Sequence, residues 1–172
     1  MKKIIVLFSV LSLVLTSCSN DDVVGFTSED LIGKWECTSV DYDGTATVTV
    51  NGETSKITIT GEDINNSMIS TFNESNKVLF TQGTFTIELR MTVGGVERTS
   101  YSNLQQILDG DSWNQNGRTL RIYKGDEEER YEIDELLPTS MILSSSHKED
   151  VLINGQAATV DFDLVATYRS IN

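Results

Sequence analysis

The chain has 172 residues and a net charge of −13, with 13 basic against 26 acidic side chains. That length suits one domain with a real core, and so acidic a surface repels DNA, RNA and anionic head groups, which excludes nucleic acid as a partner. Only two cysteines are present, Cys18 and Cys37. If Cys18 is modified as described next, Cys37 has no partner in the chain and is expected to pack as a small buried hydrophobe.

Lys2 and Lys3 precede twelve mostly apolar residues, 4–15. A charged start and an apolar run well short of the ~20 residues of a membrane span read as an export leader. The leader ends in Leu15-Thr16-Ser17-Cys18, which resembles the lipobox of bacterial lipoproteins. The resemblance implies that the Cys18 thiol is diacylglycerated, that 1–17 is removed as a signal peptide, and that the new amine is acylated as well. Each buried CH₂ adds about 0.8 kcal/mol, so two or three acyl chains make a durable anchor. The implied location is the bacterial outer membrane, on its periplasmic or its surface face, with the membrane as a partner through Cys18. Residues 18–28, polar and partly acidic, read as a mobile tether. Asp21 and Asp22 resemble the acidic export signal of surface lipoproteins in some Gram-negative bacteria, and fit a plain acidic linker equally well.

From 29 to 172 a single β domain is expected. Ser28 can cap one helical turn through 29–32, closed by Gly33. Strands are then predicted at 34–42, 45–50, 56–60, 68–72, 78–81, 84–93, 96–101, 118–123, 129–134, 140–144 and 157–169. Asp43-Gly44, Asn51-Gly52, Gly94-Gly95, Asn116-Gly117, Gly125-Asp126 and Asn154-Gly155 serve as turns. The clearest period of two places Phe85, Ile87, Leu89, Met91 and Val93 on one face. Val160, Phe162, Leu164, Ala166 and Tyr168 likewise oppose Asp161, Asp163 and Arg169. A short amphipathic helix is predicted at 102–109, because Ser102 and Gln105 have capping-box spacing and Leu104, Ile107 and Leu108 share a helical face. Strands with one dry face each must close into a barrel or sandwich, so the fold expected is all-β, a single antiparallel barrel of about eight to ten strands.

Gly33-Lys34-Trp35 at the start of the first strand and Thr167-Tyr168-Arg169 at the end of the last resemble the lipocalin-like domains of bacterial lipoproteins. Between them, Trp113 with Gly117, Leu120 and Ile122, and 131–136 followed by Met141-Ile142-Leu143, extend the likeness. It implies that Gly33, Trp35 and Arg169 close the barrel, with the guanidinium over the indole. It also implies a small apolar or amphipathic ligand in the interior. Two features depart from a true lipocalin: the middle Thr-Asp-Tyr type motif is missing, and the chain ends three residues after Arg169.

Chemistry-bearing patterns are sparse. His147, the sole histidine, lies in the polar run 144–150, read as a solvated hairpin loop rather than a triad. One histidine and one free cysteine cannot fill a zinc site, and Asp41-x-Asp43-Gly44 and Asp109-x-Asp111 lack the remainder of a calcium loop. No phosphate loop or dinucleotide fingerprint is present, so no cofactor and no catalytic or metal-binding residue is assigned, and the chain is read as a binding protein rather than an enzyme. Ligand-lining candidates are Phe85, Ile87, Leu89, Met91, Phe162 and Leu164. The same side chains could instead fill a solid core, leaving an interaction module that binds another protein through its loops, as an accessory subunit or a protease inhibitor.

Overall fold

In the computed structural model, which describes residues 26–50, 53–93, 95–104, 107–153 and 156–171, nearly all of the chain is strand. One helical turn, α1 (Ser28–Leu31), leads into β1 (Gly33–Val50), β2 (Glu53–Asn66), β3 (Ile69–Phe72), β4 (Leu79–Gln82), β5 (Phe85–Val93) and β6 (Val96–Leu104). There follow β7 (Ser112–Asn116), β8 (Thr119–Lys124), β9 (Glu127–Leu136), β10 (Ser140–Ile153) and β11 (Gln156–Ser170). Every pairing is antiparallel, in the order β6-β5-β2-β1-β11-β10-β9-β8-β7, with β3 on β1 and β4 on β3. The leader, Cys18 and the tether up to residue 25 lie outside the described residues.

The all-β, antiparallel expectation holds, but the sheet is not closed into a barrel and has eleven strands rather than eight to ten. The reason lies in β1, whose long backbone has β11 on one side from Trp35 to Val48 and changes partner on the other. Gly33 to Glu36 pair with β3, whereas Asp41 to Val50 pair with β2. The change falls at an irregularity between Cys37 and Ser39, where Asp63 Oδ1 accepts the Val40 N–H at 2.6 Å. A second division lies in β10, which pairs with β11 throughout but with β9 only from Met141 to Ser144. The sheet thus divides into a curled half and an open half of six strands, β6-β5-β2-β1-β11-β10. The curl stops short of closure, because the short strands β4 and β7 meet only at the bridge between Val78 and Ser112, with Leu79 N–H to Asp111 O and Trp113 N–H to Lys77 O beside it.

The curled half is solid. Trp113, Tyr168, Phe72, Leu120 and Ile133 are fully buried in it, and Phe72 meets Trp113 edge-on at 5.3 Å. Leu31 of α1 plugs one end, and its carbonyl accepts the Trp35 Nε1–H at 2.9 Å. The capping residue is Thr27, one place earlier than expected, with its N–H and hydroxyl both on Asp30. The domain begins by Phe26, whose carbonyl accepts from Gln115 of β7 at 2.7 Å.

Four further expectations are corrected. The predicted helix at 102–109 is not formed: β6 continues to Leu104 in register with β5, Ser102 facing Ile87 and Leu104 facing Phe85. The ladder outweighs the local capping pattern, and Ile107 and Leu108 are buried in a bend. Asp43-Gly44 and 144–150 are strand, not turn and loop. Finally, Trp35 and Arg169 do not stack. First and last strands pair as expected, but Glu36 is the residue opposite Arg169 and Trp35 is opposite Ser170. Alternation then puts the indole in the core and the guanidinium outside, on Glu36.

Phe85 and Leu164, two of the ligand-lining candidates, belong to the core, whereas Met91 is only half-buried. Leu164→Ala is therefore expected to lower unfolding free energy by about 2 to 5 kcal/mol, and Met91→Ala by about 1 kcal/mol or less, in urea titrations. Equal costs at the two positions would contradict this division.

A candidate ligand cleft on the inner face of the sheet

Where the curled half opens into the flat one, the inner face carries a cleft of about 230 Å³ lined by Tyr42, Asp43 and Gly44 of β1, Ile59 of β2, Ile87 and Leu89 of β5, and Val160 and Phe162 of β11. Register explains the assembly. Gly44 lies opposite Phe162 and Ile59, and Gly61 lies opposite Tyr42 and Leu89, so period two sends all the large side chains to one face. The two glycines let those side chains lie down across the strands. A Cβ at Gly44 would sit 2.5 Å from Asp161 O and 2.6 Å from Phe162 Cβ, and one at Gly61 would sit 2.8 Å from Leu89 Cδ2. Glycine within a strand marks such a close approach, which is why the chain runs straight through Asp43-Gly44.

Aromatic rings form one wall. Tyr42 and Phe162 are tilted with centroids 5.9 Å apart, and the His147 ring stacks on Phe162 at 5.2 Å and 17°. His147 stands on β10, on the other side of Phe162 from Tyr42, and its Nε2 is 2.9 Å from Ser145 Oγ. The serine and histidine of the polar run are thus brought together, through alternate positions of a strand. Burial, then the nearby Cys37 thiol, pushes the Tyr42 hydroxyl up to about 12, so it stays neutral. Cys37 is itself buried, as expected, and burial pushes its thiol up to about 11.

Of the six lining candidates, Ile87, Leu89 and Phe162 meet at the cleft; Phe85 and Leu164 lie behind it in the core, and Met91 lies beyond it, opposite Ile59. Sequence reasoning missed Tyr42, Ile59 and Val160. Gly44 was the available signal for Tyr42, since a glycine inside a strand pattern points to a crowded site. With apolar walls, a neutral phenol and a volume below the roughly 300–1,000 Å³ of drug-sized pockets, the cleft can take one ring or a short acyl segment.

The outer face of the same strands is a polar trough of about 320 Å³ that includes Asp41, Asp43, Glu62, Arg90 and Asp163. Asp43 faces Asp163, and Asp41 faces Glu62, an arrangement that repels; Arg90 offsets part of it by bridging Glu62 and Glu88. Among the described residues no three His, Cys, Asp or Glu side chains are placed to hold a metal. No family model, curated protein or solved structure matches the chain.

The tyrosines give a pH prediction. Burial raises Tyr42 and Tyr131 and holds Tyr168 well above the ordinary value. A folded-state pKa raised above the unfolded value of about 10 gives stability that is complete below about pH 10 and lost as pH climbs through the folded pKa. The urea midpoint is expected to fall from pH 10 towards pH 12, less steeply in Tyr42→Phe. An unchanged slope in the variant would show that this hydroxyl ionises as freely folded as unfolded.

Proposed function

We propose that the chain is an exported, lipid-anchored lipoprotein of lipocalin-like type that binds a small apolar or amphipathic molecule, without catalysis, at the inner-face cleft. The observation that carries the binding reading is the cleft itself, an apolar concavity walled by Tyr42, Ile59, Ile87, Leu89 and Phe162. A filled curled half moves the expected ligand from the interior to this mouth. The anchor rests on Leu15-Thr16-Ser17-Cys18 behind its apolar run. Among the described residues no helix is long and apolar enough to cross a membrane. The solid core favours a second reading, an interaction module that binds another protein through its loops or exposed surface.

Leu89→Trp should fill the cleft and abolish binding of a neutral naphthylamine probe while the circular dichroism spectrum is kept. Probe binding undiminished in the folded variant, or absent in the wild type, would remove the cleft as the site. For the anchor, Cys18→Ser should leave an uncleaved or soluble form; a mutant that is still processed and still partitions into the detergent phase would contradict lipidation there.

A further inference from the structure

The outermost strand of the open half, β6, has β5 on one side and, among the described residues, no strand on the other. Sheet edges are usually protected by lysines, prolines, bulges or shortness. This edge has no lysine, proline or bulge among its nine residues, VERTSYSNL; of the charged side chains that also guard edges it carries only Glu97 and Arg98, of opposite sign, and its register with β5 runs unbroken from Phe85 and Leu104 to Val93 and Val96. Residues 96–101 are all exposed, Val96 at 59% and Tyr101 at 62%. The strand also carries one acid and one base, and so is neutral within a chain of net charge −13.

Backbone geometry selects which groups face outward. Val93 and Val96 flank a two-residue connection, and such a pair exchanges both hydrogen bonds. Residues 96, 98, 100, 102 and 104 therefore bond to β5, and residues 97, 99, 101 and 103 direct their N–H and C=O groups to the open edge. Two antiparallel copies of this edge can be set so that 97 meets 103 and 99 meets 101. All nine residues are then paired, no like charges are opposed, and Thr99 lies beside Tyr101 of the second copy, a favourable β-branched and aromatic pair. Tyr101 is already oriented on that face by its hydrogen bond to Glu88. The two-fold axis passes through Ser100, and the inner faces of both copies fall on one side of the joined sheet.

We infer that β6 is a self-pairing edge and that the protein associates as a symmetric dimer through it, joining two six-stranded open halves into one sheet. The partner is a second copy of this chain, selected by the two-fold register and by a strip of zero net charge on an otherwise acidic molecule.

The full chain, purified in detergent, should sediment as a dimer. Ser100→Cys places two thiols at a non-hydrogen-bonded antiparallel pair, where Cα atoms are about 4.5 Å apart, inside the disulfide range of about 4.4–6.8 Å. Mild oxidation should give a dimer whose peptides are joined residue 100 to residue 100, while a cysteine at exposed Glu74 cross-links far less. Thr99→Pro removes an outward N–H and not a bond to β5, so it should yield a folded monomer. Should that variant fail to fold, the Ser100→Cys result decides alone. A wild-type monomer, equal cross-linking at Glu74→Cys and Ser100→Cys, or disulfides only to a different protein would each overturn self-pairing.

Discussion

The ladder between β1 and β11 is the interaction on which everything else depends. It joins the ends of the domain, from Trp35 beside Ser170 to Val48 beside Ala158, and it runs through both halves of the sheet. At one end its inward side chains, Trp35, Cys37, Ala166 and Tyr168, are enclosed by the curl; further along, Tyr42, Val160 and Phe162 face a concavity that no second layer covers among the described residues. Along the same strands the main core gives way to the cleft, and past the cleft the small side chains Ala46, Val48 and Ala158 are buried outside that core. The cleft lies where the main core ends.

Why the covering runs out follows from the partner change on β1. A strand can have one neighbour on each side, so β2 takes the place beside β1 that β3 leaves after Glu36. The hydrogen bond from Val40 to Asp63 satisfies a backbone donor at the change that neither ladder serves. On the far side, β9 leaves β10 after Ser144 and continues along β8. Three strands, β2, β5 and β6, are thereby committed to the open half rather than to closing the curl, and β4 and β7 meet through one bridge instead of a ladder.

Much of this was legible in the sequence, and the exceptions have physical causes. The period of two in 85–93 and in 160–168 identified strands correctly because alternate apolar residues share one face, with Phe85 and Ile87 of one strand and Leu164, Ala166 and Tyr168 of the other buried. The same period cannot report how deep a residue lies along its strand, so Phe85 and Leu164 were grouped with Leu89 although only Leu89 reaches the cleft. Strand β7 escaped notice because Trp113 is the only buried side chain among Ser112, Asn114, Gln115 and Asn116. Polar residues 144–150 looked like a loop because this part of β10 has lost β9 and lies at an edge. The Trp35 and Arg169 pairing failed on parity that was itself readable: with Tyr168 on the dry face, Arg169 had to point outward.

The central claim is that one set of strands belongs to the main core at one end and leaves it at the other, with the cleft at the boundary. Hydrogen exchange read amide by amide tests it most directly, since protection follows local burial and pairing. The account predicts the slowest exchange at Trp35, Ile133, Leu143 and Tyr168. It predicts faster exchange at Ile59, Leu89 and Val160, and slowing confined to the latter group when an apolar probe is bound. Uniform protection along β1 and β11, or probe-induced slowing centred on the curled half, would contradict it.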